Sequence, residues 1–226
     1  MSRPMALVTG ASRGIGRAIA TALGDTHHVL VGGRDAVAVA EVVASLPDAA
    51  PLLADLTDET AVAEATARID RLDVLVHSAG ILSHYGPFAD STTGQWRDVL
   101  EVNVIAPATL TRLLLPALRA THGLVVFINS GAGLNAGRGM AVYAASKFAL
   151  TALADALRAD EAGQVKVTTV HPGRTATDMQ AQLRAAEGAS YHAPDYLAAE
   201  DVARAVRLAV DLPSGASLSS LRINPA

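Results

Sequence analysis

Short runs of Val, Leu, Ile and Ala recur along the chain, and between them lie longer segments whose apolar residues return with a helical period. Several of the short runs, Val74-Leu75-Val76 and Val125-Val126-Phe127-Ile128 among them, are apolar at consecutive positions rather than at alternate ones. A strand covered by helices on both faces has that character. The pattern predicts strands over 5–9, 28–31, 51–54, 74–77, 124–129, 165–170 and 221–224. It predicts helices over 14–23, 36–46, 59–69, 95–120, 140–162 and 199–210. Alternation of this kind is the mark of βαβ units feeding a parallel sheet. The expected fold is therefore α/β, a doubly wound parallel sheet of about seven strands with helices on both faces. The longest stretches without a period, 79–94, 131–139 and 172–194, each follow a strand. Functional loops gather at the carboxyl ends of parallel strands, and the part over 174–194 is expected to cover a substrate.

Composition narrows the reading. With 226 residues, half of them hydrophobic, the chain can bury one substantial core, so 1–226 is expected to form one domain. The net charge is −4 and the basic residues are scattered, which argues against a nucleic-acid partner. There is no cysteine, so disulfides, thiolate metal sites and cysteine nucleophiles are excluded together. His84, His171 and His192 lack metal-ligand spacing and are expected to be ordinary strand-end or loop histidines, with no metal bound. The chain runs into its first strand without an apolar signal core, and no segment reads as long enough to span a bilayer. A cytoplasmic protein without a membrane partner is expected.

The chemistry begins after the first strand, where Gly10, Gly14 and Gly16 stand at the turn into a helix. Glycines there allow a tight turn and a close backbone approach, so that the helix N-terminus can face a pyrophosphate. The spacing is Gly-x-x-x-Gly-x-Gly rather than Gly-x-Gly-x-x-Gly, and a tight ligand-free turn is the plainer alternative. No carboxylate stands at the tip of the second strand until Asp35, whereas Arg34 and Arg13 can converge on a 2′-phosphate. NADP(H) is expected over NAD(H), unless both arginines are solvated surface residues. Asp55 either accepts from an adenine amino group or caps the next helix.

Tyr143 and Lys147 lie four apart in a helical stretch, and so on one face. A phenol with pKa near 10 is a poor base at neutral pH, and an adjacent ammonium would pull it down. Ser130 ends an apolar strand, where its hydroxyl can bond a reacting carbonyl oxygen or simply form a turn. Asn103 is a polar residue among aliphatics, four before Pro107, which has no N–H to offer its carbonyl. The freed carbonyl either holds a water leading from Lys147 toward solvent or marks a helix kink.

In order and spacing these residues resemble the classical short-chain dehydrogenase/reductase family, and the resemblance runs over about 5–224. It implies a Rossmann-type sheet and hydride transfer between a nicotinamide cofactor and a carbonyl/alcohol pair. Tyr143 would be the acid/base, Ser130 would orient the substrate, Lys147 would bind ribose and tune Tyr143, and Asn103 would be a structural and relay residue. The cofactor would lie on Gly10, Ser12, Arg13, Gly14, Ile15 and Gly16, with Arg34, Asp55 and Leu56 at its adenosine end. Ala79 and Gly80 would flank it, and Pro172, Gly173, Thr175 and Thr177 would meet its nicotinamide. The family pairs subunits through helices corresponding to 95–120 and 140–162, which implies a homodimer or homotetramer; Leu110, Leu113, Leu114 and Leu118 are then read as interface rather than core.

The sequence departs from the family in having His77-Ser78-Ala79-Gly80 where Asn-Asn-Ala-Gly is usual, in a tail without Asp-Gly-Gly, and in a short apolar segment around Met179, Leu183, Arg184 and Tyr191. Two alternatives to a ketone or aldehyde reductase stay open. One is a reductase of acyl-carrier-protein thioesters, with Arg138, Arg174 and Arg184 as the basic mouth; the other is a cofactor-binding regulatory protein without turnover.

Overall fold

A computed structural model describes residues 3–226. Seven strands, β1 (Met5–Val8), β2 (His28–Gly33), β3 (Ala49–Leu53), β4 (Val74–His77), β5 (Leu124–Ile128), β6 (Lys166–Pro172) and β7 (Ser220–Ile223), form one sheet. Their order is β3-β2-β1-β4-β5-β6-β7, and every pairing is parallel. From β1 the chain winds outward through β2 and β3, then returns to the other side of β1 with β4 and winds outward again. The crevice at that reversal, between the carboxyl ends of β1 and β4, is where sheets of this kind bind ligands.

The consecutive apolar residues divide between two cores. In β1, Ala6 and Val8 face one cluster with Ile19 and Leu23 of α1 (Gly14–Gly24), Val39 of α2 (Ala36–Ala44), and Val202 and Val206 of α8 (Ala199–Val210). Leu7 faces the other, with Val62 of α3 (Glu59–Thr66), Leu110, Leu114 and Leu118 of α5 (Ala106–Arg119), and Leu150 of α6 (Ala141–Asp160). β5 splits in the same way, Val126 to the first cluster and Phe127 to the second. Period-two side chains on a sheet sandwiched by helices require this division.

Three expectations need correction. The leucine face of α5 is core of this chain: Leu110, Leu114 and Leu118 are at most 1 % exposed, and Leu113 packs partly buried against the same cluster. The helix expected over 95–120 starts with α4 (Thr93–Leu100), widens into a π turn at Glu101–Ile105, and continues as α5. By length and composition this continuous Thr93–Arg119 segment passes as a membrane span, contrary to the sequence reading, but its apolar face is spent on the sheet. Third, the stretch taken as irregular over 172–194 contains α7 (Asp178–Ala186), capped by the Thr177 hydroxyl, which accepts from the Gln180 N–H.

The unusual His77-Ser78 pair finds partners. His77 is buried, its Nε2 lies 2.8 Å from the Thr111 hydroxyl of α5, and its ring stacks on Phe127. The Thr9 hydroxyl accepts from the Ser78 and Ala79 N–H groups and donates to the Val76 carbonyl, joining the β1 and β4 ends. Burial pushes His77 from 6.5 down to about 3, so the folded protein keeps it neutral while the unfolded chain protonates it below 6.5. The unfolded state then binds more protons between those two values, and stability falls as pH drops through that window, by up to about 1.4 kcal/mol per pH unit. His77→Asn is expected to flatten that loss. Urea midpoints from pH 7 to pH 4 check this, and parallel slopes for the variant and the parent would reject it.

Candidate active site

The first turn of α1 is built from contacts that only glycine permits. Gly10 has φ +62°, and a Cβ there would lie 2.8 Å from the Ala79 Cα, so the loops after β1 and β4 touch at the reversal of strand order. A Cβ on Gly16 would fall 2.2 Å from the Gly10 carbonyl oxygen. Arg13 occupies the N-cap position without a side-chain cap, which leaves the first N–H groups of α1 free of any side-chain acceptor. Ser12 lies under the tip of β2, 3.8 Å from where a Gly33 Cβ would stand, and Thr177 packs against Gly14. Such a cradle, flanked by Ala79 and Gly80, fits a dinucleotide pyrophosphate.

At the adenosine end the two arginines are exposed and each is paired. Arg34 donates to Asp55 at 3.2 Å, and Arg13 lies 3.6 Å from Asp178. Asp55 also accepts from the Thr57 N–H and hydroxyl, and these bonds hold its carboxyl below the usual range. Both sequence readings of Asp55 therefore have support, since it forms a local turn and faces the crevice tip. Leu56, expected beside the adenine, is partly buried against the second core cluster.

Tyr143 lies in the first turn of α6 and Ser130 at the carboxyl end of β5; both line a cleft of about 450 Å³ together with Ile15, Gly173, Thr175 and Thr177. Lys147 is one turn after Tyr143, its Nζ 5.6 Å from the center of the phenol ring, over its face. That ammonium is 5 % exposed and donates to the Ile128 carbonyl at 3.2 Å. Burial lowers its pKa to about 8. The phenol moves the opposite way from the sequence expectation: burial pushes Tyr143 up, opposed by its hydrogen bond with Ser130. A ring already packed away from water outweighs a cation that is itself desolvated and spent on a carbonyl.

Asn103 sits in the π turn, fully buried, and its carboxamide is completely engaged. Its Oδ1 accepts from the Ile81 N–H, and its Nδ2 donates to the Ile81 carbonyl and the Ser146 hydroxyl. Ser146 in turn donates to the Tyr143 carbonyl. The side chain thus braces the loop after β4 against the turn that carries Tyr143. A Cβ on Gly80 would be 3.3 Å from Asn103 Oδ1 and 3.8 Å from Lys147 Nζ, which shows how closely these three converge.

Sequence reasoning passed over two residues here. Asn129 accepts from the Ser130 N–H and donates to the Lys147 carbonyl and the Thr151 hydroxyl, tying the serine to α6. Its signal was a carboxamide ending a strand that is apolar throughout. His171, read as an ordinary strand-end residue, has Nδ1 3.1 Å from the Ser130 carbonyl; since a carbonyl only accepts, Nδ1 carries the proton. Pro172 and Gly173 turn the chain beneath it, and Thr175 spends its hydroxyl on the Gly173 carbonyl. Of the arginines expected at the mouth, Arg174 and Arg184 both bind Glu187, in a bidentate pair and at 2.6 Å respectively.

Residues 4–188 match the family model described as short chain dehydrogenase. An uncharacterized short-chain type dehydrogenase/reductase of Sinorhizobium fredii is 33 % identical over 98 % of this chain and 91 % of its own length. The glycine betaine reductase of Emericella nidulans is 34 % identical over all of this chain, which spans only 19 % of that longer protein. Among solved structures, one described as a putative NAD(P)-dependent gluconate 5-dehydrogenase from Beutenbergia cavernae, with bound NADP, is 36 % identical, with a TM-score of 0.88 over 98 % of this chain and 95 % of that one. The chain belongs to the short-chain dehydrogenase family, the NAD(P)-dependent oxidoreductases of CH–OH and C=O groups.

Proposed function

We propose that the protein is an NADP(H)-dependent reductase of ketones or aldehydes, with Tyr143 as proton donor. The observation that carries this reading is the meeting of Tyr143, Ser130 and the β6 turn in one cleft beside the glycine cradle. The cofactor, when bound, supplies the hydride. Gly10, Gly14 and Gly16 bring backbone N–H groups to its pyrophosphate, and Ile15, Pro172 and Gly173 form the wall beside its nicotinamide. Ser130 offers its hydroxyl to the substrate oxygen, whose developing charge it stabilizes. Tyr143 holds its proton through the neutral range because burial raises its pKa, so it is an acid as it stands and protonates that oxygen. Lys147, charged below about pH 8, keeps a cation beside the phenol and within reach of a ribose. Asn103 holds the tyrosine's turn through Ser146, and its backbone carbonyl remains the candidate for a water leading from Lys147 outward.

Arg34 and Arg13 support the choice of NADP(H). Both guanidinium groups are exposed at the crevice end and free to exchange their carboxylate partners for a 2′-phosphate. The expected result is faster consumption of NADPH than NADH across a panel of carbonyl compounds, followed by absorbance. Arg34→Ala should erode that ratio by about tenfold or more, the worth of a charge-assisted hydrogen bond. Equal use of NADH by the parent protein would overturn the assignment. With Arg174 and Arg184 occupied by Glu187, only Arg138 of the three expected cations remains for an acyl-carrier partner, which favors a small substrate. Ile105 of the π turn and Phe148 of α6 are exposed on the helices that the family uses between subunits, and they support a homo-oligomer.

A further inference from the structure

α7 carries one side chain that the fold leaves unsatisfied. Gln180 is 6 % exposed, lines the cleft that holds Ser130 and Tyr143, and its Nε2 is the only buried side-chain nitrogen or oxygen without a hydrogen-bond partner among the described residues. A buried amide N–H without an acceptor is costly, and such groups are retained where something else completes them. The same cleft is lined by Arg138, Arg174 and Arg222 against a single carboxylate, Glu187. That carboxylate is already shared between Arg174 and Arg184, whereas Arg138 and Arg222 have no hydrogen-bonding or ion-pair partner among the described residues. A neutral donor within a cleft of excess positive charge matches an anionic oxygen better than a hydroxyl or an apolar chain.

We propose that Gln180 determines specificity by donating its amide to a carboxylate on the substrate, so that the protein acts on oxo acids and the corresponding hydroxy acids. This rests on the reductase reading above and deepens it. The reacting carbonyl meets Ser130 and Tyr143, while the second polar group is held from α7, with Arg138 and Arg222 supplying the field.

The test compares a series of straight-chain oxo acids, levulinate among them, with their methyl esters and with the parent ketones that lack the second group, using NADPH. The intact protein is expected to favor the best acid over its ester, and over its parent ketone, by about tenfold or more in kcat/KM. Gln180→Leu should lower the acid-to-ketone ratio by about the same factor while raising the melting temperature, since it removes an unsatisfied buried amide. The inference is overturned if esters serve as well as acids, if no acid in the series is turned over, or if the acid-to-ketone ratio of the variant stays within about twofold of the parent's. It is also overturned if the loss falls on KM for NADPH, which would make Gln180 a cofactor contact. Turnover of neutral ketones that Tyr143→Phe abolishes would leave the reductase reading standing in each of those cases. Turnover that survives Tyr143→Phe would instead remove the proton donor on which both rest.

Discussion

Tyr143→Phe is expected to reduce carbonyl turnover by about 10²–10⁴-fold, the usual contribution of a positioned acid or base. The ring stays, so its packing and the Lys147 ammonium over its face are preserved, and NADPH binding and melting temperature should scarcely move. Only the proton goes. Because burial raises the phenol's pKa, reduction in the parent protein should be level through neutral pH and fall only in the alkaline range, as the acid is lost. Alcohol oxidation needs the phenolate and should rise over the same range. Comparable rates for the variant and the parent, or a reduction rate that climbs with pH, would remove Tyr143 from the proton step.

Gly16→Ala is expected to cost both the fold and the cofactor. Its methyl group would meet the Gly10 carbonyl oxygen at 2.2 Å and the Gly10 carbonyl carbon at 2.7 Å, both backbone atoms of the turn itself. No rotamer relieves such a contact; the turn must open or α1 must shift along β1. Overpacking of a rigid site costs about 1–3 kcal/mol. In a chain of this size each kcal/mol corresponds to about 2–4 °C in melting temperature. Gly215→Ala, which meets nothing within 4 Å, is the matching control for glycine replacement itself. NADPH fluorescence on binding should disappear for the Gly16 variant and persist for the control. Unimpaired binding by Gly16→Ala would mean that the turn is looser than its contacts require.

The strands were legible because a sheet buried on both faces writes itself as consecutive apolar residues; the extent read for β4, 74–77, matches the structure. Tyr143, Lys147, Ser130 and Asn103 were legible as an ordered set, and they do converge. What local patterns could not supply was the partner of each surface. The leucines of α5 have the same helical period whether they meet a second subunit or their own sheet, and only the three-dimensional count of faces decided for the sheet. α7 escaped notice because its apolar positions are few and its Thr177 cap resembles a loop residue. The direction of the Tyr143 shift depends on desolvation, which spacing does not encode. Gln180 was invisible for the same reason, since a glutamine in a polar segment reads as solvated until its surroundings are known.

The π turn at Glu101–Ile105 has a consequence for how this site tolerates change in chain length. It accommodates one residue more than a regular turn would, and so sets the angular offset between Asn103, which braces the tyrosine's helix, and Leu110, which grips the sheet. Losing any single codon within it would return the helix to ordinary pitch and rotate one half against the other by about 100°. The alignment of active site and core is thus stored as a residue count, and no point substitution could restore it.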